Sequence, residues 1–439
     1  MPGTGERDPR TVLEHLLRQR DLTYEEAAAK FTELARSLRE PATISARHLG
    51  RLARGERGNA GTTPATRRVL RQMFGRPAEE LLRPWASSGD AEPVGRPQPD
   101  PGRIHDERKV LNMAAQRAKR FALHAGEAGV SGDVIEQFRD DVRRLAAAYP
   151  KRPLHEILGD LVELQDAVFT LLERKQRPHQ ARDLYFLGSV VGGMLANASH
   201  DLAEPHAAMT QARTAFLCAD NADHNGLRAW LRGLQSLIAY RAGRPHESVR
   251  YAQQGAAYAA GNSAAVWLPM NEARAWATLG NADEAHAAIR RAEAAWSEVQ
   301  SDDLDRLGGM CTFTRSRQLY YAAEAMALLS TESHDAQRYS ALAVEAYRDS
   351  AAPDWAFASQ AGSQTALATG RITGGDIDGA ADALAPVLEL PSERRINGIV
   401  HCVKRAHAAL VASPHVGAAH ELLEQIECFQ RTPAWAVLR

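Results

Sequence analysis

Several things are scarce in this chain of 439 residues, and each scarcity closes off a class of function. Four cysteines, Cys218, Cys311, Cys402 and Cys428, lie far apart with no Cys-x-x-Cys pair. That pattern argues against a zinc cage or a disulfide frame and fits reduced cytosolic thiols. No run of about 18 apolar residues occurs, so no membrane span is expected. The opening stretch "MPGTGERDPR" is polar and lacks the apolar core of a secretory signal, which reads as a cytoplasmic protein. There is no Gly-Lys dipeptide, which excludes a Walker A loop. Three His-Glu pairs occur (155–156, 246–247 and 420–421), yet none continues to the second histidine of a zincin. "GSVVGG", residues 188–193, sits inside an apolar helical pattern and reads as close helix packing rather than a phosphate loop. The expectation is therefore no enzyme, with no catalytic residue, metal or cofactor. Only six of the 53 basic residues are lysine, and 54 acids bring the net charge to −1. Any basic partner-binding surface must be local.

The length exceeds one ordinary core and implies a small domain plus a large one. The boundary is legible in "ASSGDAEPVGRPQPDPG", residues 86–102, which has prolines and glycines but no aromatic residue. Three segments follow: 1–85 a small helical domain, 86–104 a Pro/Gly linker, and 105–439 a large helical-repeat domain. In the small domain a helix runs from about Arg10 to Arg20. A second opens at Thr23 with Glu26 in the capping-box position, burying Ala27, Phe31, Leu34, Ala35 and Leu38. A third starts after Ser45. A fourth starts at Thr63–Pro64 and stops at Gly75, and a short helical turn follows Pro77.

Beyond the linker, helical periodicity continues with no convincing alternating strand. In "ARAWATLGNADEAHAAIRRAEAAW", Gly280 is followed by Ala285, Ile289 and Ala292. The same offsets return at Gly375, Ala380, Leu384 and Val387. A weaker copy follows Gly243, with Ser248, Ala252 and Gly255. This resembles the tetratricopeptide repeat, where a small residue ends the first helix and small or apolar residues lock the second against it. Copies lie about 37 to 50 residues apart, and pairs with an uncovered apolar face stack into a solenoid. The expected fold class is all-α: a small helical domain and a large α-solenoid of tetratricopeptide-like pairs.

The stretch "TISARHLGRLARGERG", residues 43–58, concentrates arginine. On a helix Arg47, Arg51 and Arg54 fall within about 60° of one another, with Leu49 and Leu52 on the opposite side. From residue 43 to residue 76 there are eight arginines and one acid, a local balance of +7 that reads as a phosphate-binding footprint. With the helices around it, "ISARHLGRLARG" resembles the motif of Cro/repressor-like (XRE-type) helix-turn-helix regulators. Ser45, the aliphatic Leu49 and Leu52, Arg51, Arg54 and Gly55 fall in matching places. The resemblance implies that this helix enters the major groove of double-stranded DNA. Arg47 and Arg51 would read bases, with His48 available beside them, while Ser45 and Arg54 hold phosphate. Arg67 and Arg71 would add phosphate contacts. Two features depart from the family: Tyr24 stands where glutamine is usual, and the distance from Thr23 to Ser45 is about doubled. Residues 184–249, beginning "LYFLGSVVGGMLANASHDLAEPH", resemble the C-terminal region of actinobacterial regulators of this type that end in a tetratricopeptide-like domain.

That architecture implies a transcriptional regulator, acting as a homodimer on an inverted repeat. Its repeat domain would answer a peptide, small-molecule or protein effector. Taking Gly243 and Gly280 as pair boundaries sets Trp230, Tyr240, Trp267 and Arg274 towards a channel lined by first helices, with Asn197 and Gln318 on neighbouring pairs. The competing reading is a protein-interaction scaffold that does not bind DNA and whose basic module holds an acidic protein.

Overall fold

The structure is a computed structural model that describes residues 9–20, 22–38, 40–55, 62–85, 130–259, 261–329 and 333–437. The expected linker, together with Glu56 and Arg57, lies outside the described residues. The chain divides into two units, Met1–Asp106 and Glu107–Arg439. It is all-α: no strand forms among the described residues, where an isolated bridge joins Thr11 to Pro84.

In the small unit every main helix starts on a side-chain cap, because the first N–H groups of a helix have no internal partner. α1 (Val12–Gln19) begins where the Thr11 hydroxyl accepts the Glu14 N–H at 3.1 Å. The same hydroxyl donates to the Ala53 carbonyl at 2.6 Å, tying the start of α1 to the end of α3. α2 (Tyr24–Ser37) opens on a complete capping box between Thr23 and Glu26. α3 (Ala46–Ala53) is capped by Ser45, which accepts the His48 N–H at 3.2 Å. α4 (Pro64–Phe74) is capped by Thr63 and ends at Gly75, whose φ of 71° is left-handed and suits glycine. α5 (Ala78–Leu81) follows. Leu13, Phe31, Leu49, Leu52, Val69 and Leu70 form the core. Burying each of these side chains contributes about 1.5–3 kcal/mol. Leu38, expected on the buried face of α2, is instead 41% exposed, because α2 stops at Ser37 and Leu38 leaves that face.

The large unit is a run of antiparallel helix pairs. α6 (Gly132–Ala148) and α7 (Leu158–Leu172) both pack on α8 (Pro178–Asp201), which pairs with α9 (Pro205–Asn221), and α10 (Asn225–Arg241) pairs with α11 (Pro245–Ala256). Next come α12 (Ala264–Thr278) with α13 (Ala282–Ala295), α14 (Arg315–Met326) with α15 (Ser333–Ala346), and α16 (Phe357–Thr373) with α17 (Ile377–Leu388). α18 (Asn397–Ala412) with α19 (His420–Gln430) and a short α20 (Ala434–Val437) end the chain. Gly280 and Gly375 turn the chain between paired helices at φ 74° and 83°, and the small and apolar residues that follow each are buried.

The repeat spacing is irregular for a visible reason. Residues 296–314, between α13 and α14, carry three short 3-10 turns instead of leading directly to the next pair. This insertion is pinned: Asp305 accepts both the Ser263 N–H, at 3.0 Å, and the Ser263 hydroxyl, at 2.5 Å. Two large apolar clusters occupy most of the unit, one from Val130 to Ala366 and one from Phe357 to Ala434.

Candidate functional site

Three glycines decide how closely the first helices approach. A Cβ on Gly193 of α8 would overlap the ring of Trp230 on α10. One on Gly233 of α10 would fall 2.7 Å from the ring of Trp267 on α12, and one on Gly362 of α16 would overlap the ring of Tyr320 on α14. Each aromatic ring therefore takes the space that a side chain would fill on a neighbouring first helix. Trp230 and Trp267 pack between neighbours in this way and also line a cavity of about 150 Å³.

The cavity is formed mainly by first helices. α10 gives Trp230, Leu234, Leu237 and Arg241, which follow one helical face. α12 gives Trp267 and Arg274, two turns apart, and α8 gives Asn197, His200 and Asp201. Tyr320 and Tyr321 come from α14, and Phe357 and Ile399 from the second apolar cluster.

Behind the wall lies a buried charge cluster. Glu324 of α14 is 2% exposed and meets Arg241 at 2.9 Å, Arg274 at 3.1 Å, and Arg405 of α18. Tyr240 accepts a hydrogen bond from Arg405 at 2.6 Å, and Arg274 lies over the Tyr321 ring at 3.6 Å. Asn271 links this cluster to the packing, accepting from Arg274 at 2.6 Å and donating to the Gly233 carbonyl at 3.1 Å. Burial would raise the Glu324 carboxyl, but Arg241, Arg405 and Arg274 overcome it and hold the group well below the ordinary carboxylate range. The three guanidiniums stay charged against their own desolvation.

Three positive charges face one negative and leave a positive surplus, with Arg241 and Arg274 buried and Arg405 22% exposed. The nearby titratable groups do little to cancel it. Burial brings the Asp201 carboxyl up to about 7, where it accepts from Tyr149 at 2.9 Å and Asn197 at 3.0 Å. Burial first, then Arg241, brings His200 and His401 down to about 3, so both are neutral. Among the described residues, Arg241 Nε, Arg274 Nε and Trp267 Nε1 are buried without a hydrogen-bond partner. All three are donors.

Of the residues expected from sequence, Asn197, Trp230, Trp267 and Arg274 come together around this cavity. Tyr240 and Gln318 stand apart from its lining. Tyr240 is buried in the charge cluster, and Gln318 accepts from Arg315 at 2.8 Å and from the Trp296 indole. Sequence reasoning missed Arg241, Glu324 and Arg405, which are 83 and 81 positions apart and meet only when the pairs stack. It also missed Asp201 and Tyr149.

In the small unit the expected DNA contacts are spread over α3 and α4. Arg47 and Arg71 are exposed, and His48, Arg51, Arg54 and Arg67 are half-buried. Ser45 is exposed, and its hydroxyl accepts the His48 N–H while its own O–H can still donate. The Arg67 guanidinium reaches the Thr62 carbonyl at 3.3 Å, and Arg68 is clamped by both oxygens of Glu40 at 2.7 and 2.8 Å. Glu40 lies outside the residue 43–76 window, so the basic balance of that surface is smaller than the local count. Tyr24 packs towards α3, its ring 3.4 Å from where a Cβ on Gly50 would sit. The long interval from Thr23 to Ser45 is filled by fourteen residues of α2 and an irregular connection.

No family model and no curated protein matches this chain. A crystal structure of a Rap protein complexed with competence and sporulation factor is similar to it at a TM-score of 0.38 and 10% identity, covering 69% of this chain and 96% of that one. A likeness that weak carries no weight here, and the helical-repeat fold rests on the helix pairs themselves.

Proposed function

We infer that the chain is a DNA-binding transcriptional regulator whose helical-repeat unit answers a ligand. The observation that carries this reading is α3. It is a short helix fixed by a Ser45 cap, sealed to the core by Leu49 and Leu52, and it bears Arg47 in solvent. A helix held by its neighbours with arginine on the free face suits the major groove, where arginine can make paired hydrogen bonds to guanine. One such helix covers few base pairs, so the active form is a homodimer on an inverted repeat. The cavity supplies the second half of the reading: aromatic walls with a few directed polar groups suit a small guest. A guest switches DNA binding only if it prefers one arrangement of the protein over another.

The test is binding of the full chain to a randomised duplex library, followed by salt titration on the selected site. Selection of a palindromic site, with affinity falling steeply as salt rises, is the expected result. If no sequence is enriched and an acidic protein competes as well as any duplex, the chain is a scaffold.

A further inference from the structure

The cavity walled by Trp230 and Trp267 is apolar on those faces and strongly positive behind Arg241 and Arg274. Buried charge is tolerated when it is paired, and here one glutamate serves three arginines. The partnerless buried groups around it are donors, so what the site lacks is an acceptor. Asp201 does not supply that charge in full, because burial keeps it partly protonated near neutrality. The space of about 150 Å³ matches a cavity that holds one benzene-sized group.

We propose that this cavity binds a carboxylate carried on one aromatic or branched apolar group, with the carboxylate against Arg241 and Arg274 and the apolar body between Trp230 and Trp267. Both a free aryl acid and the C-terminal residue of a short peptide have this chemistry. The proposal deepens the ligand-sensing reading and rests on it.

The experiment uses the full chain and four probes: phenylacetate, N-acetylphenylalanine, phenylacetamide and inorganic phosphate. Tryptophan fluorescence and thermal shift report binding. At least one of the two acids should saturate the signal, with the amide at least tenfold weaker and phosphate silent. The tighter acid tells a free acid from a peptide terminus. Arg274→Met should weaken the acids at least tenfold and narrow the gap between acid and amide. The wild-type series decides alone if that variant does not fold. The proposal is overturned if amide and acid bind equally, if phosphate binds as well as the acids, or if none of the four binds. DNA selection, measured separately, keeps the two readings apart. Acid binding without DNA binding retains the site and removes the regulator, and the reverse removes the site alone.

Discussion

Arginine is used in opposite ways in the two units. In the small unit two arginines each meet a single acid in partly exposed pairs: Arg18 with Glu14 one turn away at 2.9 Å, and Arg68 with Glu40. Arg47 and Arg71 are left to water. In the large unit Arg241, Arg274 and Arg405 converge on Glu324 with water largely excluded. A surface pair gains little, because water already solvates both charges, whereas an interior charge depends on its partner. The small unit can therefore offer its charge to an outside partner at small cost. The large unit has committed its charge to the fold and keeps an excess.

The largest expected effect breaks that contrast at its centre. Glu324→Ala leaves the buried Arg241 and Arg274, and the partly exposed Arg405, without a counter-ion and should destabilise the large unit by about 3–5 kcal/mol. Glu40→Ala, at a partly exposed pair, should cost no more than about 1 kcal/mol. Urea unfolding of both variants makes the comparison, and equal losses would show that burial does not distinguish the two clusters. The next effect concerns the backbone slot that brings the arginines together. Gly233→Leu would drive a side chain into Trp267 and should cost about 1–3 kcal/mol or more, as overpacked cores do. A normal urea midpoint for Gly233→Leu would mean that α10 and α12 do not pack across that glycine.

How much of this was readable beforehand follows the same divide. Local order was written plainly. Thr23 and Glu26, Ser45, Thr63–Pro64 and Gly75 set helix ends through nearest neighbours, and each falls where the spacing placed it. Gly280 and Gly375 marked the turns between paired helices for the same reason. A small part of the cavity lining was also legible, since Trp230, Trp267, Arg274 and Asn197 lie on first helices whose faces follow from periodicity. The charge cluster was not. Arg405 belongs to α18 and Glu324 to α14, and nothing in either segment marks them as partners. Only stacked pairs bring them together, across an insertion that disrupts the repeat period. Gln318 shows the converse error, a correct helix whose polar tip is taken by Trp296 and Arg315.

A smaller effect sharpens the role of surface arginine. Arg51→Ala should lose about 1–3 kcal/mol at the preferred duplex and relax base choice there. Arg71→Ala should weaken all duplexes evenly and lower the salt slope by about one. Arg67→Ala should weaken them less than Arg71→Ala, because its guanidinium is partly engaged by Thr62. Binding of single variants to matched and mismatched duplexes separates these outcomes. If Arg51→Ala kept the wild-type preference, α3 would not be the reading helix.

The smallest effect tests whether the interior of the large unit holds its charges as described. Burial lifts Asp201 to about 7, while an unfolded aspartate titrates near about 3.9. Between those values the folded chain holds a proton that the unfolded chain has released. The contribution of Asp201 to stability is therefore full below about pH 4 and is lost as pH rises towards 7. His200 and His401 act in the other direction. Both sit at about 3 in the folded chain, against about 6.5 unfolded, so each contributes stability at neutral pH that is lost as pH falls through that window. Two histidine protons against one carboxyl proton give a net rise in stability from about pH 4 to 6.5. Asp201→Asn keeps an acceptor for the Tyr149 hydroxyl but removes the opposing proton, so its rise over that range should be steeper. The added difference between pH 5.5 and 6.5 should be about 1 kcal/mol, near the limit of one proton per pH unit. Urea midpoints of wild type and Asp201→Asn at those two pH values measure it. Parallel profiles would mean that Asp201 is ionised in the folded chain, and the positive surplus at the cavity would then be smaller by one charge.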